Sequence, residues 1–193
     1  AIESNDAGRL LDAVRSLIDW GDLRLDLMNV HFPSSVAQVR WFPLEDAGAE
    51  PGQIIAAAPL YLLARAIPGF GAVHTLWLFG AVVTALTGVL LFGFARTLGA
   101  RHSAALLLAL IFTTATAAYP YSKTFFREPL TALLLLLSAY SAWRARTSGF
   151  RLAWLAALAA ACAALILTRA SALFAIPALL ACLAPAPHDW AFV

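Results

Sequence analysis

The sequence predicts an all-α protein: a multipass transmembrane helical bundle with an amphipathic outer-loop helix near the N-terminus. Three observations carry that expectation. Of the 193 residues, 62% are hydrophobic and 12% charged, with a mean hydropathy of +0.79, whereas soluble domains carry roughly 25% charged residues. Between His102 and Lys123 the chain runs 20 residues without a charge, and another apolar run begins directly after the cluster Tyr119-Pro-Tyr-Ser-Lys-Thr-Phe-Phe-Arg-Glu128. Nine of the eleven acids lie in residues 1–50, and only Glu128 and Asp189 follow. Residues 1–52 are therefore expected to form an outer, aqueous or interfacial loop, and residues 53–193 the helical region of one larger membrane domain. A start at Ala1 and a stop at Val193 suggest a piece of a longer chain, with a spanning helix before it.

Each element follows from its pattern. Residues 6–19 place Leu10, Leu11, Val14, Leu17 and Ile18 at the i, i+1, i+4, i+7, i+8 spacing of an amphipathic surface helix. Ser4 and Asn5 are natural N-caps, Asp6 falls in the first turn where the helix dipole favours an anion, and Gly21 is a plausible stop. Arg9, Asp12, Arg15, Ser16 and Asp19 are expected on the wet face, with Arg15 and Asp19 four apart. Residues 23–26 alternate apolar and charged side chains, which suggests a short extended piece. Residues 29–52, with Pro33, Pro43, Gly48, Pro51 and Gly52 and no period, read as loop. Residues 53–67 are apolar but contain Pro59 and Arg65 and are few for a crossing, so a helix along the interface is expected there. Spans are expected at 75–95, 103–120, 128–145 and 152–168, with a fifth at 170–184 interrupted by Pro177. Arg96 and Arg101 mark one connection, and Arg144, Arg146 and Arg151 another. The positive-inside rule places both in the cytoplasm. Residues 1–50 and the loop 119–128 then share the outer face of the plasma (inner) membrane.

Composition also excludes several classes. A net charge of +2, spread along the chain, gives no footprint for nucleic acid. Cys162 and Cys182 sit inside apolar runs and are expected as buried thiols, not as a disulfide or metal pair. His31, His74, His102 and His188 lack ligand spacing, and no glycine-rich nucleotide loop is present. Twelve of the thirteen basic residues are arginine, and Ala and Leu dominate, a usage that hints at a GC-rich bacterial genome. Trp20, Trp41, Tyr119 and Tyr121 fit an interfacial aromatic belt.

Four motifs in order carry a family resemblance. The run over 4–26, opening Ser4-Asn-Asp-Ala-Gly-Arg9, resembles the first outer loop of bacterial GT-C glycosyltransferases related to family 39, the group with the protein O-mannosyltransferases and the aminoarabinose transferase. Pro51-Gly-Gln-Ile-Ile-Ala-Ala-Ala-Pro-Leu-Tyr61 is similar to that family's Pro-Gly segment, and Tyr121-Ser-Lys-Thr-Phe-Phe-Arg-Glu-Pro129 to its second outer loop. Leu167-Thr-Arg-Ala-Ser171 resembles a later Arg-containing turn. Many relatives carry a Lys just before the Pro-Gly, suited to the donor phosphate. Here Ala49-Glu50 stands in its place, which puts phosphate binding by that loop in doubt.

The resemblance implies an inverting transferase that moves a sugar from a polyprenyl-phosphate donor to a lipid, glycan or protein acceptor at the outer face. Asp6 matches the family's base, which would take a proton from an acceptor hydroxyl or amine. The same residue also suits a helix start that only satisfies the dipole. Glu128, ahead of Pro129, is either a helix-opening acid or a second site carboxylate that holds the acceptor or shares a divalent metal with Asp6. No metal is demanded. Lys123, Arg9, Arg127 and Arg40 are the candidate donor-phosphate ligands, because charge on the departing phosphate grows as the glycosidic bond breaks. Each could instead meet anionic lipid headgroups. Arg169 is either a boundary residue or one that points into the cavity. A transporter or lipid flippase is the competing class, although ion-coupled pathways place ionisable groups at the midplane and these spans hold almost none. A non-catalytic membrane assembly subunit is a third.

Overall fold

The computed structural model describes residues 5–21, 51–67 and 71–184. Every regular element among them is helical. The order is α1 (Asn5–Asp19), α2 (Gly52–Ala66), α3 (Ala72–Thr97), α4 (His102–Ala115), the single turn α5 (Ala118–Tyr121), α6 (Glu128–Thr147), α7 (Leu152–Thr168), a 3₁₀ segment (Ala170–Ala175) and α8 (Ile176–Ala181). Residues 23–26 and nearly all of 29–52, with Arg40, Trp41 and His31, lie outside the described residues, as do His188 and Asp189.

The all-α expectation holds, and the helix ends follow local chemistry. Gly21, at φ +74°, closes the turn after α1. Glu128 and Pro129 open α6, where the proline's missing N–H has no intrahelical partner to lose. Two expected spans are shorter than the sequence suggested. Helix α4 stops at Ala115, and Thr116 is extended at φ −119° and ψ −179°. There the Thr116 hydroxyl donates to the Phe112 carbonyl at 2.6 Å and accepts the Ala118 N–H at 3.1 Å, replacing the helical ladder just ahead of Pro120. The segment 170–184 is a 3₁₀ turn followed by a six-residue helix opened by Pro177, so it is not one continuous rod. Among the described residues, α3 alone is long and apolar enough to cross a membrane.

Two antiparallel hairpins, α3–α4 and α6–α7, pack through α3 and α6, and α2 lies against α3 and α7 with α1 on top of it. Both hairpins turn on one sequence pattern. Ala95-Arg-Thr-Leu-Gly-Ala-Arg101 recurs fifty residues later as Ala145-Arg-Thr-Ser-Gly-Phe-Arg151. Gly99 and Gly149 take φ +88° and +71°, and the next N–H in each returns to the alanine carbonyl, at 3.0 Å from Ala100 to Ala95 and 2.8 Å from Phe150 to Ala145. That is the closed helix end only a left-handed residue allows. This turn end carries five arginines and no acid.

The surface is apolar as well as the core, and some polar side chains are inside. Gln53, Thr75, Thr87, Ser138 and Thr168 are buried, while Leu78, Val82, Val89, Leu107 and Leu110 are exposed. The hydroxyls of Thr87, Ser138 and Thr168 each donate to a carbonyl one turn back at 2.8 Å, which lets them sit in an apolar interior without outside partners. An apolar exterior of this extent marks a surface that meets lipid or other protein. Cys162 is half-buried, but Cys182 is exposed, against the expectation of two buried thiols. It lies just past the end of the short α8, where there is no further helix among the described residues to cover it.

Candidate functional site at the loop end

The bundle's other end is built around residues 116–127. Short hydroxyl-to-carbonyl bonds wind this loop on itself, from Ser122 to Tyr119 at 2.7 Å and from Thr124 to Tyr121 at 2.9 Å. It then dips into the bundle. Phe125, 2% exposed, meets the edge of Phe79 with centroids 5.8 Å apart, and the Gln53 amide donates to the Phe125 carbonyl at 3.1 Å. At Gly80 a side chain has no room, because a Cβ would stand 2.7 Å from the Thr124 carbonyl oxygen and 2.8 Å from that of Ser122. Glycine lets α3 pass directly against the loop backbone.

Helix α1 joins the same core. Ala7, Leu10, Ala13 and Val14 cluster with Ile54, Ala57 and Tyr61 of α2, with Leu76 and Phe79 of α3, and with Phe125 and Leu130. The helix is buried more deeply than an amphipathic surface helix would be. Asp12 and Ser16, expected on the wet face, are buried at 2% and 0% exposure. One apolar stripe does not describe a helix seated in a groove. Its C-terminal end is tied down by Asp19, which takes Arg15 at 3.4 Å, the Tyr61 hydroxyl at 3.2 Å, and Arg65 from the last turn of α2. The expected Arg15–Asp19 pair is therefore present within a larger cluster. Asn5 lies inside the helix, and Ser4 lies outside the described residues.

The sequence-derived site residues divide into two groups. Asp6 stands in the first turn of α1, next to Ala7 of the shared core, and Arg9 one turn on is half-buried. Arg127 and Glu128 open α6, where Arg127 is half-buried and Glu128 receives Arg169 at 3.2 Å. The shared core thus gathers the segments that carry Asp6, Arg9, Arg127 and Glu128. Lys123 lies on the exposed side of the loop, its ammonium 4.0 Å from the centre of the Tyr119 ring. A hydrogen bond from Lys123, and then its charge, hold the Tyr119 phenol below its ordinary pKa. Arg40 lies outside the described residues.

A pocket of about 310 Å³ opens between α3, α5 and the start of α6, with Thr84, Thr87, Thr116, Tyr121 and Glu128 in its wall. Among the described residues, Glu128 is the only charged one lining it. Glu128 stands in the first turn of α6 and is paired with Arg169 at 3.2 Å. The Thr87 and Thr116 hydroxyls donate to carbonyls of their own helices, which leaves the Glu128 carboxylate as the polar feature of a mostly apolar wall. Among the described residues no group of three or more His, Cys, Asp or Glu converges as metal ligands do.

Arg169, expected as either a boundary residue or one that points into the cavity, is the partner of Glu128. One contributor was not singled out from the sequence: Gln53 fixes the loop through Phe125, and its signal was that it is the last side-chain amide in the chain. The start of α2 also abuts the end of α7, since a Cβ at Gly52 would lie 2.4 Å from the Thr168 hydroxyl. The Pro-Gly segment and the Arg-containing turn, far apart in sequence, therefore meet.

A helical chain with an apolar exterior and its mixed charges gathered at one end is of the class that works against lipid. The family model described as dolichyl-phosphate-mannose-protein mannosyltransferase matches residues 67–190, more than half of the sequence, and the chain belongs to that family. The family is one of membrane-embedded glycosyltransferases that use polyprenyl-phosphate-linked sugars. The matched stretch holds Lys123, Arg127, Glu128 and Arg169, while α1 and α2 precede it. No curated protein and no solved structure matches the chain.

Proposed function

We propose that this chain transfers a sugar from a polyprenyl-phosphate donor to an acceptor at the outer face of the membrane, with inversion at the anomeric carbon. The supporting observation is the single core that unites the first turn of α1 with the loop before α6. It sets the segment of Asp6 beside that of Glu128, although 122 residues separate the two (128 − 6). Asp6 takes the proton as the acceptor oxygen or nitrogen attacks the anomeric carbon. The bond from that carbon to the phosphate oxygen breaks as the new one forms. Its electron pair leaves with the lipid phosphate, whose added charge is met by Lys123, with Arg9, Arg127 and Arg40 as the further cations. Glu128 holds the acceptor through the adjacent pocket. The arginine-rich turns then face the cytoplasm, in keeping with the positive-inside rule.

The test is transfer from a panel of polyprenyl-phosphate sugars by the full-length protein in vesicles. Asp6→Asn keeps the helix-capping geometry and removes the base, so turnover should fall by about 100-fold to 10,000-fold with folding preserved. Near wild-type turnover in that variant would return Asp6 to a purely structural role.

A further inference from the structure

We propose that Gly52 and Gln53, the first two residues of α2, are positioning residues for Glu128, one acting through Arg169 and the other through the loop that leads into α6. This rests on the acceptor role given to Glu128 above. The ion pair between Arg169 and Glu128 spans 3.2 Å, and its side chains are 45% and 42% exposed. A pair so open to water has little power to fix its own geometry. The backbones that carry the two residues must therefore be set from elsewhere, and one turn of α2 touches both.

On the arginine's side, a Cβ at Gly52 would stand 2.6 Å from the Thr168 nitrogen and 2.8 Å from the Leu167 carbonyl carbon, so the backbone of α2 lies directly on the last turn of α7. Thr168 is fully buried and its hydroxyl donates to the Ala164 carbonyl at 2.8 Å, which keeps it from swinging clear. Arg169 follows in an extended step at φ −154° and ψ 108°. Its N–H still donates to the Leu165 carbonyl at 2.9 Å and its own carbonyl accepts from Ala172 at 2.9 Å, so the step is pinned on both sides. On the carboxylate's side, the fully buried Gln53 donates to the Phe125 carbonyl at 3.1 Å, three residues before Glu128. The Arg127 carbonyl then accepts the Thr131 N–H at 2.9 Å, and α6 starts from that fixed point. Neighbouring residues on a helix face directions about 100° apart, which lets Gly52 and Gln53 reach separate segments. The first contact needs the absence of a side chain, and the second needs a buried donor.

The experiment is steady-state transfer by the full-length protein in vesicles, with donor and acceptor varied separately. Gly52→Ala and Arg169→Ala should each lower kcat/KM for the acceptor about tenfold, less than the roughly 100-fold of a full 1 Å misplacement, and leave the donor KM unchanged. Arg169→Lys should restore part of the loss. Neither change should add to Glu128→Gln, because the group being positioned is already gone. Gly93→Ala, on α3 with nothing within 4 Å of the added methyl, should leave both substrates unaffected. A Gly52→Ala loss shared equally by donor and acceptor, or one that persists in full on Glu128→Gln, overturns the assignment. Geometry is read without activity from Glu128→Cys and Arg169→Cys, joined by a short bismaleimide in a background lacking Cys162 and Cys182. Adding Gly52→Ala, or Gln53→Met, which keeps the length and loses the donor, should lower the cross-linked fraction several-fold, while Gly93→Ala should not. If the unaltered protein transfers no sugar, the proposed activity fails and this fraction alone decides the positioning. Should Gly52→Ala not fold, Gln53→Met decides by the same measure. An unchanged fraction in the folded variants refutes the assignment.

Discussion

The two ends of the bundle solve different problems with similar residues. At the turn end, one seven-residue pattern closes both hairpins through a left-handed glycine and leaves five arginines without an acid. At the loop end, cations and carboxylates are mixed, the backbone is irregular, and buried polar groups such as Gln53 hold it in place. Repetition marks the end where the chain only has to reverse direction. Irregularity marks the end where side chains from distant segments must meet. Arg146 illustrates the first case, with its guanidinium 5.8 Å from the Trp143 ring, and Arg169 the second, paired to a carboxylate 41 residues away.

The all-or-none version of this contrast is topological. Single cysteines at Ser122 and Ser148, in a background without Cys162 and Cys182, should react oppositely with an impermeant thiol reagent. Ser122 at the loop end should label from outside and Ser148 at the turn end should not. Labelling at Ser148 with protection at Ser122 would invert the arrangement and place the chemistry in the cytoplasm.

Glycines at the two ends should differ next. Gly80→Leu drives a side chain into the carbonyls of Ser122 and Thr124 and displaces the loop. A shift of about 1 Å there should cost roughly 100-fold in turnover. Gly99→Ala meets no atom within 4 Å but must hold φ +88°, so it should cost about 1–2 kcal/mol of stability while turnover of the folded protein is kept. Thermal unfolding read beside initial rates separates the two. Equal kinetic losses would mean that the ends are not functionally distinct.

Within the loop end, the charged groups should separate by substrate. Lys123→Ala should raise the donor KM about tenfold or more, the worth of one charge-assisted hydrogen bond, and Lys123→Arg should restore part of it. Glu128→Gln should impair acceptor use and leave the donor KM near its original value. Donor kinetics untouched by Lys123→Ala in stable protein would move the phosphate to Arg9, Arg127 or Arg40.

The sequence made the periodic parts legible and hid the parts set by tertiary contact. Helix α1 was readable from Leu10, Val14 and Leu17, but the burial of Asp12 and Ser16 depends on neighbours supplied by other segments. The charge-free stretch after His102 announced a long helix, yet Thr116 offered the backbone other hydrogen bonds just ahead of Pro120, and the helix ends at Ala115. Hydropathy averages over such residues and cannot weigh them. Glu128 and Lys123 stood out as charges in an apolar setting, whereas the placing of Glu128 in a pocket wall and of Lys123 on the exposed side of the loop follows from the way the loop folds under Gly80. The repeated turn was written plainly in the chain. Five of its seven residues are identical fifty residues apart, a signal that neither charge nor apolar length carries.

The smallest effect should come from the cluster that fastens α1 to α2. Asp19 accepts from Arg65 and from Tyr61, and it also pairs with Arg15, so it resembles a structural anchor of some strength. Its setting argues otherwise: the Arg65 side chain is 58% exposed and Asp19 21%, and water screens most of their attraction. A double-mutant cycle over Asp19→Asn and Arg65→Gln should give a coupling of about 1 kcal/mol or less. The Gln53→Leu change should exceed it, since it strips a donor from the buried Phe125 carbonyl and leaves that oxygen unsatisfied, about 1–3 kcal/mol. Both are read by chemical or thermal unfolding in detergent. A coupling well above the Gln53→Leu loss would show that α1 is fastened by its exposed end. The opposite order places the anchor in the buried contacts between α2 and the loop, which is where a site assembled from distant segments needs its rigidity.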